Sequence, residues 1–356
     1  MTAGALEAVL GTLVGQRALR HLGLAVLGIA LALAAAALLV LSSGRNPLVA
    51  YASLAAGALG SWDRIAVALN KATPYLLTGA GVALCFRARV MNIGGEGQIA
   101  LGGLAATAVA IMLSEAAAPV LVVLALAAGA VAGAAWAGLA AVIRLGRGVH
   151  EVLVTLLLNF VGVLVVSEAL HGDLGEPGAG FPQSPLLARA AWLPKLVPGT
   201  DLHVGILIAV AAVAVCHAVL WHTPFGFRLR VLGASETAAA YAGVSKARTF
   251  FAVMAVAGGL AGVAGAIDVL GVHYRLIDGF SHGFGFAAVS IALIGGLNPI
   301  GVLPAGLFFG FLEAGALAMQ RAVGVPSPLV AVIQGLTMVF ILAAMALPGR
   351  RPRPPA

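Results

Sequence analysis

Long apolar runs alternate with short polar punctuation along nearly the whole of this 356-residue chain. A helix needs roughly 20 mostly apolar residues to cross a hydrocarbon core. Ten segments approach that requirement: 22–41, 73–86, 99–113, 119–142, 152–169, 204–221, 250–270, 285–297, 302–319 and 329–347. The second, third and eighth are short and end in glycines. The pattern predicts an all-α polytopic membrane protein with about ten transmembrane helices and a membrane region over 22–347. Residues 86–103, FRARVMNIGGEGQIALGG, interrupt it with asparagine, glutamate, glutamine and five glycines. A bilayer cannot satisfy irregular backbone or a carboxylate, so this break must line a cavity or lie at the membrane edge. A second break, GGLNPIG at 295–301, has similar ingredients. Two such breaks, one in each half, predict two broken-helix repeats with a site between them.

Composition supports this class. Hydrophobic residues make up 61% of the chain and charged residues 9%, against about 25% charge in soluble domains. The net charge of +7 does not point to nucleic acid, because the basic residues punctuate apolar runs instead of clustering on a soluble module. They read as orientation signals. With the N-terminus inside, Arg17, Arg20, Arg87, Arg89, Arg144, Arg147, Arg228, Arg230, Lys246, Arg248, Arg350, Arg351 and Arg353 fall on the cytoplasmic side. Arg45, Arg64, Lys71, Arg189, Lys195, Arg275 and Arg321 fall outside. The bias predicts both termini in the cytoplasm. The first apolar run is long and follows arginines, so it reads as a retained anchor. The proline-rich stretch 170–202 is expected as an external loop with a short interfacial helix carrying Trp192. The stretch 222–248 is the longest internal loop, with a short helix over 235–243 capped by Ser235.

Few chemical motifs survive scrutiny. The dipeptide Gly-Lys never occurs, so no phosphate-binding G-x-x-x-x-G-K-[ST] loop exists. GFSHG at 279–283 fits G-x-S-x-G, but a nucleophile elbow needs a strand–turn–helix setting. A glycine-rich external turn is the expected reading. The histidines lack metal-ligand spacing, and Cys85 and Cys216 lie in separate apolar runs. No catalytic group, metal or cofactor is expected. Gly258/Gly262 and Gly306/Gly310 have the spacing of close helix packing. Asn92, Gly94, Gly95, Glu96 and Gln98, with Asn298 at the second break, are candidate path residues. Glu96, Asp268 and Glu313 are the titratable groups that an ion-coupled secondary transporter would need.

Several strings carry a resemblance. NPLVAYASLAAGALGS at 46–61, LNKATPYLLTGAGVALCFRARVMNIGGEGQ at 69–98, FGFRLRVLGASETAAAYAGVSKAR at 225–248 and ALIGGLNPIGVLPAGLFFG at 292–310 together resemble permease subunits of bacterial ABC importers for nucleosides and simple sugars. The NIGGEGQ string is more like the nucleoside branch, and the chain resembles the longer of its two paralogous permeases. The resemblance implies one transmembrane permease domain over 1–356 in the bacterial plasma membrane. It implies a second permease, an ATPase and an extracytoplasmic substrate-binding lipoprotein as partners, and a small neutral solute as cargo. A simple sugar such as ribose is the alternative cargo. It also implies that 222–248 is the coupling segment, with Arg228, Arg230, Gly233, Glu236, Ala239 and Gly243 in it. Relatives often carry asparagine where Glu236 stands.

Overall fold

The structure, a computed structural model, describes residues 23, 24 and 26–346. Arg17, Arg20, Arg350, Arg351, Arg353 and both termini lie outside the described residues. The described chain is helical, with isolated bridges only at Gln183/Ile277 and Lys195/His203. In order, the helices are α1 (Val26–Ser42) and α2 (Pro47–Leu59), then α3 (Trp62–Arg87), α4 (Gly95–Met112), α5 (Ala118–Arg147) and α6 (Glu151–His171). After the 170–202 loop come α7 (Gly205–His222), α8 (Pro224–Ala234), α9 (Glu236–Tyr241), α10 (Lys246–Asp268), α11 (Phe284–Ile294), α12 (Pro299–Val323) and α13 (Ser327–Ala346).

Among the described residues, six single helices are long and apolar enough to cross a membrane: α4, α5, α6, α7, α12, and α10 taken with the π turn Val269–His273. The pair α1 and α2, bent by 119° at Gly44 and its neighbours, makes up to seven. Over the described residues, each of the ten apolar segments falls on a helix, but α11 has only 11 residues, about 17 Å at 1.5 Å per residue. It cannot traverse a 30 Å core alone. Of the basic residues assigned to the outer side, Lys71 lies within α3 and Arg321 in the last turn of α12.

The chain divides by packing into two units, Met1–Gly57 with Gly315–Ala356, and Ala58–Ala314. In the first, Ala36, Val40, Ala50, Ala316, Met319, Val325 and Ile333 form the core. In the second, α4, α5 and α10 pack together most closely. Their contact surface is nearly bare backbone. A Cβ on Gly262 would stand 2.1 Å from the Gly129 carbonyl oxygen, and one on Gly258 would stand 2.3 Å from that of Gly133. Gly306 and Gly310 likewise meet Leu76 and Ala72 of α3. Both small-residue pairs are therefore used for packing within the chain. Without a hydrophobic drive between helices in lipid, such close approach maximises van der Waals contact.

The 170–202 stretch is irregular but not unpartnered. It lays its backbone along 274–278: Ser184 N–H donates to the Leu276 carbonyl at 2.8 Å, and Leu187 N–H to that of Tyr274 at 2.9 Å. Glu176 pairs with Arg275 at 3.0 Å. The helix expected around Trp192 is only a 3₁₀ turn, Arg189–Ala191. Trp192 follows it and stacks on Tyr274 with ring centroids 4.2 Å apart.

Candidate functional site

Two irregular segments meet midway along α3. Residues 88–94 leave the end of α3, turn back, and start α4 at Gly95. Residues 274–283 descend from the 170–202 contact and start α11 at Phe284. The starts of the two helices touch: a Cβ on Gly285 would stand 2.0 Å from the Glu96 nitrogen. Tyr75, near the middle of α3, meets Phe284 edge-on at 5.1 Å. The break at 92–98 therefore pairs with 279–285 rather than with 295–301. The GFSHG segment, expected as an external turn, is half of this junction.

Glu96 holds the junction together. It is 6% exposed, and its carboxylate accepts from the Ser281 hydroxyl, from Gly283 N–H at 2.9 Å and from Gly285 N–H at 2.8 Å. The first amides of a helix have no intrahelical acceptor and carry positive partial charge. A carboxylate there satisfies both needs, so Glu96 caps a helix other than its own. Ser281 donates its hydroxyl to this carboxylate, and the strand–turn–helix setting of a nucleophile is not present around it.

Asn92 and Gln98 face each other. Gln98 Nε2 donates to Asn92 Oδ1 at 3.0 Å, Asn92 Nδ2 donates to Gln98 Oε1 at 3.2 Å, and Asn92 Oδ1 also accepts from Gly94 N–H at 2.9 Å. Both are about 1% exposed. The rest of the bend is satisfied from α6. Asn159 accepts from Gly97 N–H at 2.9 Å and donates to the Ile93 carbonyl at 2.8 Å, while Thr155 accepts from Ile93 N–H at 3.3 Å. Buried irregular backbone must find such partners. Asn159 and Thr155 escaped the sequence reading because a lone polar residue in an apolar span has no motif. The signal was there as an amide inside TLLLNFVG.

These bonds predict what truncation does. Asn92→Ala and Gln98→Ala each orphan buried partners, at about 1–3 kcal/mol per group. The expected outcome is reduced yield and thermal stability, with substrate KM unchanged at matched membrane abundance. A raised KM with normal yield would contradict it. Asn298 is not brought to this junction. Its Oδ1 lies 3.1 Å from His217 Nδ1 and accepts from Ile300 N–H at 3.3 Å, opening α12.

A second region gathers around the basic end of α3. Leu297, Phe86, Arg87, Arg89, Arg230 and Gly233 line one pocket there. Gly233 lies inside α8 without positive φ. It is needed for close approach, since a Cβ would stand 1.9 Å from the Arg87 carbonyl oxygen. Arg230 donates to the Leu220 carbonyl and lies over the Trp221 ring at 5.0 Å. Ser235 caps α9 by accepting from Ala238 N–H, as the sequence predicts. Exposed Glu236 pairs with Lys246 at 2.6 Å, and that hydrogen bond holds its carboxyl below the usual range. Ala239 is buried, Arg228 is exposed, and Gly243 turns the chain at φ +71°. At the opposite end, burial pulls His203 down to about 4, leaving it neutral at pH 7.

Residues 64–342 match the family described as branched-chain amino acid transport system/permease component. A glucose ABC transporter permease protein of Haloferax volcanii is 36% identical over 90% of this chain and 87% of its own length. A guanosine ABC transporter permease protein of Bacillus subtilis is 32% identical over 92% of this chain and 95% of its own. A nucleoside ABC transporter permease protein of Lactococcus lactis is 29% identical over 86% of each. No solved structure matches the chain.

Proposed function

The chain belongs to the permease-component family of branched-chain amino acid transport systems, and from that premise we propose that it is the membrane path of an ATP-driven importer for nucleosides. One observation carries this reading: the guanosine permease of Bacillus subtilis matches the chain over 95% of its own length. A sugar as cargo is the second reading, supported by the 36% identity to the glucose permease. The chain contributes no chemistry. Its sequence has no phosphate-binding loop, so hydrolysis falls to a partner ATPase, with a second permease and an extracytoplasmic binding lipoprotein completing the assembly.

In this reading the chain is one membrane domain of about ten crossing or half-crossing segments with cytoplasmic termini. The end bearing Arg87, Arg89, Arg144, Arg230 and Lys246 faces the cytoplasm, in keeping with the bias of basic residues. The segment 222–248 receives the motion of the ATPase through Arg228, Arg230, Gly233, Glu236, Ala239 and Gly243. The path runs past the junction of α4 and α11. There Gly94 and Gly95 offer backbone, Glu96, Asn92 and Gln98 fix its shape, and Asn298 stands nearer the cytoplasmic end.

The test is reconstitution. Alone, the purified chain is expected to show no ATPase activity and no uptake. With the ATPase, second permease and binding protein, ATP should drive uptake of a nucleoside, and a thermal-shift screen of the binding protein should rank nucleosides above sugars. Uptake by the lone chain on a proton or sodium gradient would overturn the reading.

A further inference from the structure

Halfway along α3 and α12 lies a group of ionisable side chains outside the 92–98 break. Lys71 Nζ stands 3.1 Å from Glu313 Oε1, and the Tyr75 hydroxyl donates to Glu313 Oε2 at 2.6 Å. The π turn after α10 widens the helix so that residues five apart align, and it brings His273 Nε2 to 3.3 Å from Asp268 Oδ2. That carboxylate is 3% exposed, and beyond this ionic contact neither atom has an aligned hydrogen-bond partner. Lys71 Nζ also lies 5.3 Å from the centre of the Phe284 ring, two residues after His282.

Packing alone does not explain this group. A buried ion pair is often matched or bettered in stability by well-packed apolar residues, and ionisable residues inside membrane segments mark pathways. The cluster is also open on one side. The Lys71 and Glu313 side chains keep 14% and 12% of their surface exposed, and His282 is exposed. Within a membrane, an exposed imidazole two residues before Phe284, whose ring meets Tyr75 near the middle of α3, faces water or a protein partner, not lipid. His282 is held at φ +46° between Gly279 and Gly283, both also at positive φ. A non-glycine residue there is strained and persists where the surroundings over-determine it. The flanking bonds from Ser281 and Gly283 to Glu96 provide that constraint.

Resting on the importer reading, we infer that Lys71, Glu313 and His282 form a binding site for adjacent hydroxyls of a sugar ring on the path. A carboxylate can accept from two neighbouring hydroxyls at once, an ammonium donates to their oxygens, and an imidazole does either. The Lys71–Glu313 pair sums to no net charge, which suits a neutral polyol. Asp268 Oδ2, buried and without a hydrogen-bond donor, is a further acceptor. The ring hydroxyls of a ribonucleoside and of glucose present the same chemistry, so the site does not require choosing between them.

The complete importer in proteoliposomes supplies the test. If wild type carries neither a ribonucleoside nor glucose, the importer reading itself fails. If it carries one of them, Glu313→Gln and Lys71→Gln, at matched abundance, are expected to raise KM for that solute at least tenfold. Unchanged KM in both would overturn the site. Because both variants could misassemble, His282→Cys gives an independent reading. The native Cys85 and Cys216 are buried, so a membrane-impermeant methanethiosulfonate should label only the new thiol. Labelling of the purified complex should be slowed by the ribonucleoside or glucose and not by a 2′,3′-dideoxynucleoside. Absence of labelling, or equal protection by the dideoxy compound, would overturn it.

Discussion

Glu96→Ala is expected to lower the stability of the protein by about 4 kcal/mol. The carboxylate accepts from Gly283 N–H, Gly285 N–H and the Ser281 hydroxyl. The hydroxyl can turn to another acceptor, but the two amides cannot, and each orphaned buried donor costs about 1–3 kcal/mol. The field of the α11 N-terminus adds to the loss, because it favours negative charge there. Glu96→Gln keeps the shape and one acceptor oxygen but turns an NH₂ group towards an N–H, so its loss should be about half. Thermal unfolding of the detergent-purified protein measures both. An unchanged Tm in Glu96→Ala, with uptake lost, would show instead that the carboxylate serves the solute and not the junction.

The second large effect is expected at Gly233. Its Cα faces the last carbonyls of α3, and any Cβ would stand 1.9 Å from the Arg87 oxygen. That oxygen belongs to backbone, so it cannot swing aside as a flexible side chain would. Gly233→Leu must therefore displace α8 from α3, at about 1–3 kcal/mol for the overpacked contact. In the proposed coupling role, α8 and α9 pass the motion of the ATPase to the end of α3. Uptake should then fall more than tenfold while ATP hydrolysis by the assembled importer continues. Gly233→Ala should give the same direction with a smaller loss. Wild-type uptake in Gly233→Leu would remove this contact from the transmission path.

Apolar runs at membrane length are a property of the sequence itself, because the bilayer makes the same demand of every spanning helix, whatever its neighbours. The run 119–142 lies wholly inside α5, and the Ser235 cap of α9 was equally legible, since a cap is decided within four residues. The lack of a nucleotide loop and the polar interruption at 92–98 needed no coordinates either. Other features depended on which segments come together in space. Glu96 finds its donors 185 to 189 residues away, and Lys71 finds Glu313 across more than two hundred positions of chain. No periodicity encodes such pairs. The sequence paired 92–98 with 295–301 because both hold asparagine and glycines, whereas folding pairs it with 279–285, where free helix amides need a carboxylate. The close contact at Gly233 was not legible either, because a glycine's use as a turn and its use as a close contact read the same in sequence. The sequence thus determined that this is a helical membrane protein broken at a polar, glycine-rich point. The tertiary structure decided what the break touches, because buried charge and unpaired backbone are satisfied by whatever folding brings beside them.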